Sequence, residues 1–240
     1  MRLRRLDDVV LFGADTARSR AYLGLLLDAG LRPAACMVLS PPDAPRRAAP
    51  AATDLFDNLT PLAEAARKAG VEVVEIAAGD VNAPHAVAAL TACPQRVVIF
   101  SGPPGALVKA PLFATGKTFL HAHPGRLPRY RGSTTMYYSL LAEGRIWVTA
   151  FILAPEIDRG PVIEVMEADL PDDPTTLDHV FDPVIRARLM VRVLERYLKT
   201  GAFQVTDQGK GEEPAYFVIH PVLKHIAMLS LTARNRAGAS

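Results

Sequence analysis

The sequence predicts an α/β fold: a mostly parallel, twisted sheet with helices on both faces. Short β-branched runs alternate with helix-like segments through the first half of the chain, the pattern of strands joined by crossover helices. Glycines follow the helix-like segments at Gly30 and Gly70, where a helix C-terminus favours them. Half of the 240 residues are apolar, enough for a substantial core.

Val9 to Phe12 reads as the first strand, and Gly13 turns from it into a helix capped by Asp15 or Thr16, with Leu23, Leu26 and Leu27 on one face. Ala34 to Leu39 is the second strand. The proline-rich stretch Ser40 to Asp54 is too long and stiff for an ordinary connection and reads as a surface flap near a ligand. Thr60 caps a helix with Pro61 at its first position, and Val71 to Ile76 is the third strand. Arg96 to Ser101 is the fourth strand and Lys117 to Ala122 the fifth. Ser133 or Thr134 caps a helix that runs to Glu143 and stops at Gly144. Strands follow over Ile146 to Leu153 and Val162 to Met166. A long helix spans Thr175 to Lys199, kinked or split by Pro183, before a strand over Ala215 to Ile219 and a short helix over Val222 to Leu229.

Lys plus Arg number 27 and Asp plus Glu 25, a formal charge of +2 that gives no broad electrostatic case for nucleic acid. Cys36 and Cys93 lie in apolar segments without a partner at metal-ligand spacing, which reads as buried free thiols in a reducing compartment. Arg2, Arg4 and Arg5 precede an apolar run too short for a signal peptide, and no run reaches membrane-spanning length. A cytoplasmic protein with no membrane partner is expected, with a frayed tail over Ala233 to Ser240.

Chemistry concentrates where the fifth strand ends. The run His121-Ala122-His123-Pro124-Gly125-Arg126-Leu127-Pro128-Arg129-Tyr130-Arg131-Gly132 follows that strand, and Asp158 sits in Glu156-Ile157-Asp158-Arg159-Gly160-Pro161. Residues i and i+2 of a strand face one side, so His121 and His123 would share a cleft at the carboxyl ends of the strands, where ligands of open α/β sheets gather. Arg126, Arg129 and Arg131 suit carboxylates or phosphates, although a charge run is usually a solvated face. His-x-His also begins some zinc sites, which His220, His225 or Asp158 could complete. Taken alone, Asp158 before Arg159-Gly160 is a turn-former.

Together these segments resemble the catalytic motif of the folate-dependent formyltransferases. That family reads Asn-x-His-Pro-Ser-Leu-Leu-Pro, then Tyr-Arg-Gly, then Asp-x-Gly-x-Ile. The chain departs from it with His121 for Asn, Gly125 for Ser and Arg126 for Leu. The resemblance implies a Rossmann-like formyltransferase fold, with a catalytic domain over residues 1–200 and a short extension over 201–240 packed on it. It also implies N10-formyltetrahydrofolate as formyl donor and a small-molecule amine, such as an amino sugar, as acceptor. Transfer-RNA relatives add a further domain that this chain is too short to hold, so no nucleic acid partner is expected, and a homodimer is left open. His121, His123 and Asp158 take the catalytic positions, His121 donating to the oxyanion, His123 moving the proton and Asp158 fixing its tautomer. Donor contacts fall on Gly105, Ala106, Leu107 and Val108 after the fourth strand and on Leu153, Glu156 and Gly160. Acceptor contacts fall on Gly13, Arg126 and Arg131. A hydrolase of the same donor, or a folate binder whose site has decayed at His121, are the alternatives.

Overall fold

A computed structural model describes residues 3–41, 52–209 and 214–238. Seven strands form one sheet, β1 (Arg4–Ala14), β2 (Leu31–Leu39), β3 (Glu72–Ile76), β4 (Val97–Ser101), β5 (Thr118–His123), β6 (Ile146–Ile152) and β7 (Val162–Ala168), in the spatial order β3-β2-β1-β4-β5-β6-β7. The first five run parallel, while β6 and β7 add on antiparallel. Sequence order reverses between β1 and β4, which opens a crevice at their carboxyl ends.

Both faces of the sheet are buried at its centre, where β4 and the second half of β1 are almost wholly apolar, while the edge strands β3 and β7 carry exposed glutamates. Val9, Leu11, Val97 and Ile99 point into one cluster with α1 (Ala17–Asp28) and α6 (Asp182–Thr200). Val10, Phe12, Val98 and Phe100 point into the other, with Leu90 of α3 (Pro84–Ala92) and Leu112 of α4 (Ala110–Phe113). The remaining helices are α2 (Leu62–Lys68), α5 (Thr135–Glu143) and α7 (Pro221–Gly238). No described helix is long and apolar enough to cross a membrane, and both cysteines are buried and free.

Several local expectations need correction. Thr16 does cap α1, accepting from the Ser19 amide at 3.3 Å. Thr134 precedes α5 in the left-handed region at φ 52° and caps nothing there; its hydroxyl accepts instead from the Ile219 amide at 2.8 Å. The stretch expected as one long helix is divided beside Pro183, which lies in the first turn of α6. A 3-10 turn (Pro174–Thr176) and a π turn (Leu177–Phe181) lead into it. Ala215 to Ile219 is not a strand, since only Tyr216 bridges, to Gly132. The last helix is longer than expected, and the flap expected over Ser40 to Asp54 lies mostly outside the described residues.

Candidate functional site

Leu120 and Ala122 of β5 point into the cluster beneath α1 and α6, so His121 and His123 emerge on the opposite face, as Phe119 does. The β4–β5 ladder ends at Ile99↔Leu120, one residue before His121. Just beyond that last pair, His121 Nδ1 meets the Phe100 carbonyl at 3.2 Å. Phe100 and Phe151 flank the ring at centroid distances of 6.0 and 5.9 Å. A carbonyl only accepts, so the proton of neutral His121 sits on Nδ1. Burial, then the charges of Arg18 and Arg186, hold this imidazole well below its ordinary pKa. It is therefore neutral near pH 7, with Nδ1 turned to the Phe100 carbonyl and Nε2 left as a lone pair.

His123 is 3% exposed. Its Nε2 lies 2.7 Å from the Tyr130 carbonyl and 3.0 Å from Thr135 Oγ1, whose own hydroxyl donates to Pro124 O at 2.8 Å. Nε2 must therefore donate, which turns Nδ1 toward Asp158 Oδ2 at 3.5 Å. Burial lowers the pKa of His123, while Asp158 and the Tyr130 carbonyl act in the raising direction. Gly125 is required beside this ring because a Cβ there would fall 2.5 Å from Tyr130 O and 2.8 Å from His123 Nε2.

Asp158 adopts φ 54° and accepts from the Gly132 amide at 2.8 Å. Gln208 Nε2 donates to the main-chain carbonyls of Asp158 and Gly160, at 2.9 and 2.6 Å. Gly160 seats its loop tightly, since a Cβ there would fall 1.7 Å from Ile152 O. Ala106, Val108 and Leu153 pack on the apolar cluster that holds Phe100 and Phe119, which puts the two expected donor loops on a common floor. Gly105 and Glu156 are exposed, and Asn82 ties the first loop by donating to Leu107 O at 2.9 Å.

The expected acceptor residues separate. Gly13 is buried against β4, where a Cβ would fall 1.9 Å from Ser101 O, so its position is explained by strand packing. Arg126 is exposed and lays its guanidinium 4.8 Å from the Trp147 ring centroid. Arg131 is half-buried, and its Nε is sealed from solvent without a hydrogen-bond partner among the described residues. His220 and His225 do not join the β5 histidines: among the described residues, no three of His, Cys, Asp or Glu gather to hold a metal. Arg18, absent from the sequence reading, donates to Ser101 Oγ and Gly102 O at 3.0 and 2.5 Å, and burial beside Arg186 pushes its pKa down to about 10.

The same sheet occurs in known structures. Glycinamide ribonucleotide transformylase 1 from Symbiobacterium toebii superposes with a TM-score of 0.59 at 18% identity, over 86% of this chain and 92% of that one. A 4-N formyltransferase from Francisella tularensis gives 0.57 at 13%, over 93% and 87%. In sequence, the methionyl-tRNA formyltransferase of Chloroflexus aurantiacus is 34% identical over 120 residues, 48% of this chain and 38% of that protein. About half of the chain is thus similar in sequence to methionyl-tRNA formyltransferases. The methionyl-tRNA formyltransferase of Clavibacter sepedonicus matches at 30% over 140 residues, 57% of this chain and 44% of that protein. The chain thus spans under half the length of the curated relatives it matches. No family model matches it.

Proposed function

We propose that this chain moves a formyl group from N10-formyltetrahydrofolate to a primary amine of a small molecule, with an amino sugar as the leading acceptor class. The observation that carries the reading is the His123–Asp158 pair beneath the loop that runs to Gly160. With Nε2–H committed to Tyr130 O, the ring takes up or releases a proton only at Nδ1, and a proton there meets the Asp158 carboxylate. Such a pair suits a reaction in which the attacking amine loses a proton and the departing folate nitrogen gains one.

The two loops suit a flat heterocyclic donor. Leu107 and Ile157 stay 53% and 45% exposed, apolar surface beside main-chain groups that Asn82 and Gln208 hold in place. Gly105, Ala106, Leu107 and Val108 on one side and Leu153, Glu156 and Gly160 on the other are the proposed donor contacts. Arg131, half-buried next to the Gly132–Asp158 contact, is the preferred anchor for an acceptor anion, ahead of Arg126 and Gly13.

The test is turnover. Protein mixed with N10-formyltetrahydrofolate and a panel of amino sugars should release tetrahydrofolate only when an amine is present, with formylated product seen by mass spectrometry. Release of formate without an amine would make the chain a hydrolase. Absence of folate binding by calorimetry would end the reading.

A further inference from the structure

We propose that His121 serves as a hydrogen-bond acceptor that aims the attacking amine, the reverse of the donor role that an asparagine amide would bring to this position. The inference deepens the formyl-transfer reading and rests on it. The geometry begins with main-chain chemistry: Phe100 O can only accept, so at 3.2 Å it takes the Nδ1 proton and leaves Nε2 with its in-plane lone pair. The two phenyl rings fix the plane of the imidazole. Nε2 has no hydrogen-bond partner among the described residues, and it is not among the polar atoms sealed from solvent. It is thus an open acceptor on the His123 face of β5.

The charged neighbours keep it so. Arg18 from α1 and Arg186 from α6 act on the ring, and His123 sits two residues along the same strand. Arg186 is paired with Asp182 at 2.7 Å, whereas Arg18 has only neutral oxygens as hydrogen-bond partners among the described residues. A proton on Nε2 would add positive charge to this surplus, so the group that approaches Nε2 must bring its own N–H. Of the reacting atoms, the amine nitrogen carries N–H bonds, whereas the formyl carbonyl and the acylated N10 carry none. One amine N–H pointed at Nε2 leaves the nitrogen lone pair free to face the formyl carbon. As the new C–N bond forms, that nitrogen becomes cationic and its N–H to Nε2 bond strengthens, a gain realised in the transition state. His123 Nδ1 takes the second amine proton and delivers it to N10 as the C–N10 bond breaks, which leaves the formamide and tetrahydrofolate. His121 ends with the proton count it began with.

The test is the tautomer. In protein labelled with ¹⁵N-histidine, His121 should show a protonated Nδ1 and a bare Nε2 from pH 5.5 to 8, its signals assigned by their loss in His121→Asn. A protonated Nε2, or an imidazolium near neutral pH, would overturn the proposal whether or not turnover is found. A second arm uses the amine selected by the turnover panel. His121→Phe keeps the aromatic packing and lacks the acceptor, and it should lower kcat/KM for the amine by about tenfold or more, the size of one lost hydrogen bond. KM for the formyl donor should stay unchanged, and His121→Asn, whose amide oxygen can accept, should recover part of the loss. Undiminished kcat/KM in His121→Phe would also overturn it. Failure to find any amine substrate, with the tautomer as described, would defeat the formyl-transfer reading alone.

Discussion

Asp158 holds φ 54°, a region that Asn and Asp tolerate better than other non-glycine residues. Asp158→Asn is therefore a clean probe, since it keeps the backbone and an acceptor for the Gly132 amide while it removes the charge facing His123. Formyl transfer should fall by roughly 10²–10⁴, with the melting temperature little changed. Asp158 raises the His123 pKa, so the acidic limb of any residual kcat/KM profile should move to lower pH; an unmoved limb would assign it to another group. The two histidines also couple stability to acid. Both have folded-state pKa values below the ordinary 6.5, so below that pH the unfolded chain binds protons that the folded chain refuses. Stability is complete above about pH 6.5 and declines as pH falls toward the folded values, by at most about 1.4 kcal/mol per pH unit for each histidine. Melting curves from pH 7.5 to 5 should show this, and His121→Asn should flatten the slope. The motif residues were legible in sequence because side chains carry signatures. Phe100 O and Tyr130 O, which fix both tautomers, were not, because a carbonyl looks the same at every residue.

At the scale of elements, strands were read well wherever their neighbours matched their own preferences. β4 and the buried parts of β1 and β2 are apolar runs, and the sheet realises them, with β1 starting earlier than expected, at Arg4. The misses share a cause: the partner, not the segment, decides. Ala215 to Ile219 has strand-like composition, but Gly132 offers it a single bridge. Thr134 has the chemistry of a cap, yet the Ile219 amide claims its hydroxyl. α3 escaped notice because its apolar residues are mostly alanines, whose periodicity is faint, although Pro84 in its first turn was a readable start signal. Thr134→Ala should cost about 1 kcal/mol in chemical denaturation. The loss should appear as faster amide hydrogen exchange at Ile219 and the start of α7, with α5 unaffected; faster exchange within α5 would restore the capping role.

Across the whole molecule, the site is braced from the far side of the sequence. Thr206 pairs with Val162, Gln208 holds the Asp158 and Gly160 carbonyls, and Tyr216 exchanges main-chain hydrogen bonds with Arg131 and Ser133. The extension therefore closes over the two loops that carry the chemistry. Nothing in its sequence announced this, because Gln208 is one polar residue in an unpatterned stretch. Gln208→Ala should raise KM for the formyl donor several-fold and expose the 154–160 loop to limited proteolysis, while the sheet keeps its circular dichroism. Equal protease resistance in the variant would show that the loop stands without this brace. There is also a consequence in time. Thr134 and Ile219 lie 85 residues apart, and a ribosome adding about 5–20 residues per second needs roughly 4–17 s to cover that span. During that interval a nascent chain presents both β5 histidines without the segment that shapes their surroundings, so competence for chemistry arrives late in synthesis, after most of the sheet has been made.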